Sequence, residues 1–286
     1  MLQIHDQLVG GLRTAIHDSQ TGQSPATEAV VFVHGNPGPM DDYVPLIEQI
    51  RPFARTVAMD LPGFGRSEHP SQFDFSVGGY ARFLGQALEQ LQVERAHLVL
   101  HDFGGPFGLQ WAVNHPRKVA SVTLINTGVL REYRWHYLAR IWQTPVLGEL
   151  FQLLANRRMM EIALKRDNPQ PVPAEFVARI DQYADWANRQ AVLKLYRATR
   201  DPQLLEAQIP ILRDLDLPAC VVWGAEDPYL SVALAESQRE AFPRAEVHIL
   251  SGLGHWPFMD DPQRVNQIVV PFLQQQLCAP SAQTAT

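Results

Sequence analysis

The 286-residue chain has few cysteines, no run of basic residues and no long apolar run. Its two cysteines, Cys220 and Cys278, are too few for a disulfide framework. A formal net charge of −6 argues against nucleic acid or an anionic membrane as a partner. No apolar run is long enough to span a membrane, and the first residues lack the basic flank and apolar core of a signal peptide. We therefore expect a cytoplasmic protein.

The sequence also lacks internal repeats and the Cys/His spacings of metal sites. We therefore expect neither a metal nor another cofactor. The partner that we expect is a small apolar molecule, and the sequence leaves open whether the protein is a monomer or a homodimer.

Short apolar runs alternate with helical patterns along most of the chain. At 46% hydrophobic residues, a chain of this length can bury one large α/β core with an insertion. Strands that alternate with helices at this interval indicate βαβ units and a largely parallel sheet. The predicted strands are 29–33, 55–59, 98–100, 119–125, 219–223 and 246–250, and the predicted helices between them are 41–51, 76–91, 232–242 and 262–276.

The alternation stops in the middle of the chain, where strand patterns give way to aromatic and arginine-rich helical patterns. We interpret residues 129–216 as a helical cap inserted between two parts of the core, 1–128 and 217–278, and residues 279–286 as a disordered tail. The helices predicted in the cap are 131–142, 147–165 and 174–199.

One stretch has the pattern of a nucleophile elbow. The apolar run Leu98–Leu100 stops at the sequence HDFGG, residues 101–105, and a helical pattern follows at once. Strand, sharp turn and helix is the context in which a strained turn exposes one side chain at the end of a sheet. The usual elbow sequence is G-x-S-x-G. Here Asp102 stands where serine would stand, and His101 replaces the first glycine.

Two further acid–base residues follow predicted strands later in the chain. Asp227 lies in WGAEDP and His255 lies in GLGHWP, each just past an apolar strand. The carboxyl ends of parallel strands meet at one edge of a sheet, where ligand sites of such sheets lie. The order nucleophile, acid, histidine is also the order that the α/β-hydrolase fold uses. We therefore predict a triad of Asp102, Asp227 and His255.

With these motifs in place, the chain resembles the haloalkane dehalogenases and epoxide hydrolases of the α/β-hydrolase superfamily, whose nucleophile is an aspartate. The resemblance extends from about residue 29 to residue 275. It rests on the motifs HGNPGP, DLPGFGRS, HDFGGP, WGAEDP and GLGHWP, which occur in the family's order. It implies an α/β-hydrolase fold: a mostly parallel, eight-stranded sheet with helices on both faces and a helical cap.

An aspartate nucleophile suits an electrophilic sp³ carbon. Because the ordinary pKa of aspartate is about 4, Asp102 is anionic at neutral pH and can attack such a carbon directly. The product is an alkyl ester with the enzyme. His255, polarised by Asp227, would then activate the water that hydrolyses the ester. The backbone N–H groups of Asn36 and Phe103 are the expected oxyanion hole.

A halide leaving group would need neutral N–H donors. The resemblance implies that Asn36 supplies one of them, because haloalkane dehalogenases have asparagine after His-Gly. Their second donor is a tryptophan directly after the nucleophile, but here that residue is Phe103, which has no N–H in its side chain. A cap tryptophan, Trp135 or Trp142, would have to substitute for it.

An epoxide would need acidic donors for the ring oxygen, and epoxide hydrolases usually supply two cap tyrosines. Tyr196 resembles the second of these, and Tyr133, Tyr137 or Tyr183 could be the first. Because of Asn36, we expect a haloalkane dehalogenase-like hydrolase. The alternatives are an epoxide hydrolase and a non-catalytic ligand-binding protein on the same fold.

Several polar residues near these motifs are interpreted as structural. His34 and His101 are each expected to bond nearby backbone through a ring nitrogen. Arg66 and Ser67 are expected to brace the DLPGFGRS loop. Asn126 follows the strand before the cap, where some relatives place the acid, but an amide cannot play that role.

Overall fold

The computed structural model describes residues 2–20, 26–201, 203 and 205–279. Eight strands form one sheet: β1 (Ile4–Val9), β2 (Leu12–Asp18), β3 (Glu28–Val33), β4 (Thr56–Met59), β5 (Arg95–His101), β6 (Val119–Ile125), β7 (Ala219–Gly224) and β8 (Glu246–Leu250). Their order across the sheet is β1-β2-β4-β3-β5-β6-β7-β8. β1 and β2 pair antiparallel, as do β2 and β4, and every other neighbouring pair is parallel. The predicted α/β-hydrolase fold is thus confirmed. Residues 280–286 of the predicted disordered tail lie outside the described residues.

Twelve α-helices occur in the part of the chain that the structure describes. They are α1 (Val44–Ile50), α2 (Val77–Gln90), α3 (Gly104–Asn114), α4 (Tyr137–Gln143), α5 (Leu147–Leu154), α6 (Arg157–Asp167), α7 (Ala174–Tyr183), α8 (Trp186–Ala198), α9 (Ile209–Asp214), α10 (Ala233–Ser237), α11 (Pro257–Asp260) and α12 (Pro262–Cys278). Short 3₁₀ turns lie at Met40–Tyr43, Pro116–Lys118, Glu206–Gln208 and Gln238–Glu240.

The central strands are buried on both faces, because helices cover both sides of the sheet. Leu98 and Leu100 of β5 pack into the core on the side of α2 and α3, whereas Val99 packs on the side of α1 and α12. Side chains of a strand alternate between the two faces, so an uninterrupted apolar run is what such a strand requires. The short apolar runs of the sequence predicted these strands for that reason.

Side-chain caps set several helix boundaries that apolar spacing did not predict. The predicted helix 131–142 is wrong over residues 131–136, because α4 begins at Tyr137, where the His136 ring accepts a hydrogen bond from the Ala139 N–H at 3.2 Å. The predicted helix 147–165 is two helices. Asn156 interrupts it and caps α6 by accepting from the Met159 N–H at 3.1 Å.

Two other predicted helices also differ from the structure. The stretch 174–199 divides into α7 and α8, because Asp185 caps α8 through the N–H of Asn188 at 2.8 Å. The stretch 232–242 contains only the short α10 and a 3₁₀ turn, Gln238–Glu240. Asn, Asp and His side chains that accept hydrogen bonds from backbone N–H groups cap the start of a new helix. A predicted long helix is therefore interrupted at each of these residues.

Between β6 and β7 the described residues contain helices and loops but no strand. These helices, α4 to α9, lie in the stretch interpreted as the cap. Across the described ranges, no helix has the length and apolar character needed to cross a bilayer. Nor do these residues contain a group of three or more His, Cys, Asp or Glu side chains that could hold a metal ion.

Candidate active site

Asp102 lies in the sharp turn between β5 and α3. Its φ is +49°, in the left-handed region that non-glycine residues rarely adopt. The turn is tight because Gly104 lies against the carbonyl oxygen of Val33 and Gly35 lies against the Asp102 side chain, so that a Cβ at either glycine would collide. The strained turn exposes the Asp102 carboxylate beyond the carboxyl end of β5, as the elbow pattern predicted.

Two donors hold the Asp102 carboxylate. Its Oδ1 accepts a hydrogen bond from the backbone N–H of Asn36 at 2.7 Å, and His255 Nε2 lies 3.4 Å from Oδ2. Burial alone would raise the pKa of Asp102, but the contact with His255 and the Asn36 N–H lower it to about 2. The carboxylate is therefore ionised at neutral pH. Phe103, the next residue, is the N-cap residue of α3.

His255 bridges the two aspartates of the predicted triad. Its Nδ1 donates to Asp227 Oδ2 at 2.7 Å, and its side chain is 3% exposed. Burial disfavours the charged imidazolium, but Asp227 and Asp102 outweigh that effect and raise the pKa of His255 to about 10. The structure thus brings all three predicted residues into contact, at the carboxyl ends of β5, β7 and β8.

Asn126 contributes to the triad in a way that the sequence did not reveal. Its Nδ2 donates to Asp227 Oδ2 at 2.7 Å, while its Oδ1 accepts from the Gly224 N–H at 2.9 Å. Asp227 also accepts from the N–H groups of Tyr229 and Leu230, at 2.7 and 3.0 Å. Burial raises the pKa of Asp227, but His255 above all, and then the Leu230 N–H and the Asn126 amide, lower it below its ordinary value. The signal was the position of Asn126, directly after the strand that neighbours β7.

A cavity of about 500 Å³ lies between the triad and the cap helices. Most of the surface of this cavity is apolar. The polar or aromatic residues that line it near the triad are Asn36, Phe103, Tyr133, Trp135, His136, Trp142, Tyr196 and Tyr229. A concave apolar site with few polar groups suits a small apolar ligand.

Two predicted cap tyrosines lie in the electric field of Asp102. Burial and then the Asp102 charge raise the pKa of Tyr133, and the same two causes raise that of Tyr196. Both hydroxyls therefore stay protonated at neutral pH. Asn36 lines the same cavity as Tyr196, and its buried Oδ1 has no hydrogen-bond partner among the described residues. Phe103 packs edge-on against Tyr196, with ring centroids 5.1 Å apart, and forms an apolar wall.

The polar atoms of the other predicted cap residues differ in what they contact. The indole N–H of Trp135 donates to the Arg200 carbonyl at 2.7 Å, so Trp135 does not replace the missing halide donor. Trp142 Nε1 is buried and has no hydrogen-bond partner among the described residues. The hydroxyl of Tyr137 contacts Arg166 and Asp167 at the rim of the cavity. Tyr183 packs over the Arg66 guanidinium, 5.4 Å from the ring centroid.

His136 is a cavity residue that was not among the predicted site residues. Because its Nδ1 accepts the Ala139 N–H, its proton must be on Nε2. Burial is the main cause that lowers the pKa of His136, to about 4, so the ring is neutral at neutral pH. Its ring centroid is 5.0 Å from that of Tyr229. His136 therefore offers one neutral N–H donor with a fixed tautomer, and the signal was a histidine at a helix N-cap.

The residues interpreted as structural have backbone and ion-pair contacts that suit that role. The His34 ring donates to the Gly35 carbonyl at 2.7 Å and accepts from the Leu61 N–H at 2.9 Å. His101 donates to the His255 carbonyl at 2.8 Å. Arg66 pairs with Asp41 and Asp60, and the Ser67 hydroxyl donates to the Asp60 carbonyl at 2.5 Å.

Comparison with known proteins agrees with this architecture. The family model of the alpha/beta hydrolase fold matches residues 28–262. A 2-hydroxy-6-oxononadienedioate/2-hydroxy-6-oxononatrienedioate hydrolase of Paraburkholderia phymatum is 24% identical, with 94% of each chain covered.

Two solved structures share the fold at lower identity. The haloalkane dehalogenase DbeA of Bradyrhizobium elkani is 22% identical, with a TM-score of 0.84, 98% of this chain covered and 100% of that chain. The epoxide hydrolase CorEH is 17% identical, with a TM-score of 0.79, 96% of this chain covered and 99% of that chain. The match over residues 28–262, together with the elbow and the sheet order, shows that the chain belongs to the α/β-hydrolase fold family and is a hydrolase of that fold.

Proposed function

We propose that this protein is a cofactor-independent hydrolase that opens a carbon–oxygen or carbon–halogen bond through an ester on Asp102. The observation that carries the proposal is the contact of an ionised Asp102 with a histidine that is itself bonded to a second buried carboxylate. In the first step a carboxylate oxygen of Asp102 attacks an sp³ carbon. The bond from that carbon to the leaving group breaks, and its electron pair goes to the leaving group.

The first step prepares His255 for the second. The negative charge of Asp102 helps to hold the pKa of His255 at about 10, and esterification removes that charge. The pKa of His255 therefore falls, and the ring can release its proton and act as a base. It then takes a proton from water, and the resulting hydroxide attacks the carbonyl carbon of the ester. The bond from that carbon to the alcohol oxygen breaks, and the departing alkoxide takes the proton of the new carboxyl group, so that Asp102 is again a carboxylate and His255 is again protonated. The Asn36 N–H, already directed at Oδ1, stabilises the oxyanion.

The donors around Asp102 favour the oxygen of an epoxide as the leaving group. An alkoxide must be protonated, and the phenols of Tyr133 and Tyr196 can supply protons, whereas an amide cannot. The proton released by His255 replaces the one that the phenol gives, so that an epoxide and water yield a diol with no net loss of protons. Asn36, which favoured a halide on sequence grounds, supplies a neutral amide and no acidic proton. We therefore propose epoxide hydrolysis.

Dehalogenation is the second candidate, and neutral N–H donors support it. The Asn36 amide and the Nε2–H of His136 both line the cavity and could hold a departing halide. In that case the proton released by His255 goes to solvent, and a haloalkane and water yield an alcohol, a halide ion and a proton. Phe103 supplies no side-chain donor for this reaction.

Trapping the ester tests both candidates. In His255→Phe the base is absent, so the first step proceeds and the ester accumulates. We expect the intact mass to increase by the whole epoxide after incubation with a terminal alkyl epoxide. With a bromoalkane of the same chain length, an increase by the alkyl group would instead support dehalogenation.

Two further variants serve as controls for this experiment. His255→Gln removes the base with a smaller side chain, in case phenylalanine disturbs the buried position. Asp102→Ala combined with His255→Phe should show no increase in mass. If both histidine variants are folded and neither forms an adduct with either compound, the covalent mechanism is wrong and a non-catalytic ligand-binding protein becomes the better account.

A further inference from the structure

The cap exposes a cluster of large apolar side chains on and around α5 and α6. Seven of them lie between residues 146 and 162: Val146, Leu147, Leu150, Leu153, Leu154, Met159 and Ile162. Elsewhere in the described chain, the exposed large apolar side chains are dispersed over many elements. Single exposed apolar residues are ordinary, but seven of them on two consecutive helices and the residue before them are a concentration of the kind that marks a surface which another molecule covers.

Two unpaired cations accompany these apolar residues. Arg158 and Lys165 on α6 are exposed, and neither has an acidic partner among the described residues. Arg157 and Arg166 on the same helix pair with Glu161 and Asp167. We call the seven apolar residues together with Arg158 and Lys165 the cap face.

The charge of the whole molecule is unevenly distributed. Residues 137–200 contain ten Lys and Arg against six Asp and Glu, whereas the rest of the chain contains 14 against 24. The net charge of −6 conceals this asymmetry. A negatively charged surface would therefore attract the stretch 137–200, which contains α4 to α8, and repel the rest of the chain. This orients the protein with its cap face toward that surface.

The cap face adjoins the opening of the active-site cavity. Met159 and Ile162 belong to the cap face and also line the cavity. An apolar compound dissolved in a lipid layer would therefore reach the cavity without crossing water. Because the cap face and the cavity share these residues, docking on a lipid layer would also bring an apolar substrate to the active site. A contact surface far from the cavity would not have this effect.

We propose that the cap face docks on the surface of an anionic lipid bilayer. The apolar side chains of α5 and α6 enter the interface, while Arg158 and Lys165 bind lipid phosphates. A second copy of the chain fits less well, because a two-fold contact would bring two surfaces with the same unpaired cations together. The overall net charge argued against an anionic membrane, but the local charge of the cap supports one.

Vesicle flotation with the full-length protein tests this proposal. We expect binding to vesicles of phosphatidylglycerol and phosphatidylcholine in equal parts, and much weaker binding to pure phosphatidylcholine. Arg158→Glu should weaken binding about fivefold or more, as expected for the loss of one cation near an anionic surface. Leu153→Ser combined with Leu154→Ser should weaken it about tenfold, because two exposed leucines leave the interface.

Matched controls lie outside the cap. Leu8 on β1 is 64% exposed, close to the 66% of Leu153, so Leu8→Ser controls for the loss of an exposed leucine. Arg117→Glu repeats the charge reversal at an exposed site after α3. Neither control should change binding. Because flotation needs no turnover, its result is independent of the proposed reaction.

Three outcomes would overturn the proposal. One is the absence of binding to both kinds of vesicle. Another is binding that the controls weaken as much as the cap variants do. The third is a dimer in solution that the leucine variants dissociate, because this would assign the cap face to a second copy of the chain.

Discussion

At the scale of single residues, the environment of Asp102 determines what its carboxylate can do. An aspartate between a buried strand and two glycines would be a poor surface turn residue. Here the Asn36 N–H and His255 keep it ionised and fix its orientation. Phe103, the residue next to it, removes the side-chain N–H that a halide site would use. Tyr133 and Tyr196, which line the same cavity, are then the groups that can act as the general acid.

Replacement of Tyr196 by phenylalanine distinguishes an epoxide oxygen from a halide as the leaving group. We expect Tyr196→Phe to slow ester formation from an epoxide about a hundredfold, because a general acid is lost. Ester formation from a bromoalkane should not slow, because a halide needs no proton. The measurement is single-turnover adduct formation by mass in the His255→Phe background.

Tyr229→Phe is the matched control for this prediction. Its hydroxyl lines the same cavity but donates to Asp167 at 3.1 Å. The prediction fails if Tyr196→Phe slows both substrates equally, or if Tyr229→Phe has the same effect as Tyr196→Phe.

At the scale of elements, hydrogen bonds from side chains decide boundaries and junctions that apolar spacing leaves open. Asn156 and Asp185 end long apolar patterns and start α6 and α8. At the edge of the sheet, Arg55 precedes β4 and forms a two-point ion pair with Asp18 at the end of β2, at 3.0 and 2.6 Å. The side chains of this pair are 1% and 5% exposed. This buried ion pair therefore joins the end of β2 to the start of β4.

Breaking this pair should destabilise the fold strongly. We expect Arg55→Leu to lower the free energy of unfolding by about 3–5 kcal/mol, because Asp18 is left buried and unpaired. Arg55→Leu combined with Asp18→Leu should recover part of this loss. Urea unfolding followed by circular dichroism measures both.

An exposed ion pair provides the comparison. Arg244 and Asp216 are 64% and 60% exposed and lie 2.8 Å apart. Arg244→Leu should cost no more than about 1 kcal/mol, because water already screens that pair. Equal losses for Arg55→Leu and Arg244→Leu would show that burial does not determine the strength of the Arg55 pair.

At the scale of the whole molecule, the sheet assembles one site from residues far apart in the chain. Asp102, Asp227 and His255 follow β5, β7 and β8, and the parallel order of these strands brings their carboxyl ends to one edge. The high pKa of His255 results from this assembly, since two carboxylates from separate loops face one buried ring. The cap closes the site from the other side.

The two chemical steps should therefore differ in their dependence on pH. Ester formation from an epoxide needs the ionised Asp102, whose pKa is about 2, and a protonated tyrosine, whose pKa is raised above its ordinary value. Its rate should therefore be level across the neutral range. Ester hydrolysis needs neutral His255, so its rate should rise with pH through the pKa of His255 in the ester. That pKa lies below the value of about 10 in the free enzyme, because the Asp102 charge is gone.

Rapid-quench measurements with mass detection would resolve the two rates. An ester-formation rate that rises with pH together with hydrolysis would contradict the proposal. It would indicate that His255 must lose its proton before the first step, as in a serine hydrolase.

The sequence by itself determined the parallel core, the elbow at Asp102 and the order of the triad. These follow from local physics, because buried strands need apolar runs and a sharp turn needs glycines at close contacts. Only the tertiary structure decided which cap residues face Asp102, that Trp135 is already bonded and that Asn126 supports Asp227. Helical spacing gives the buried side of a helix, but it does not give the partner of a side chain contributed by another part of the chain. The acid, the leaving-group donors and the exposed cap face all depend on such partners.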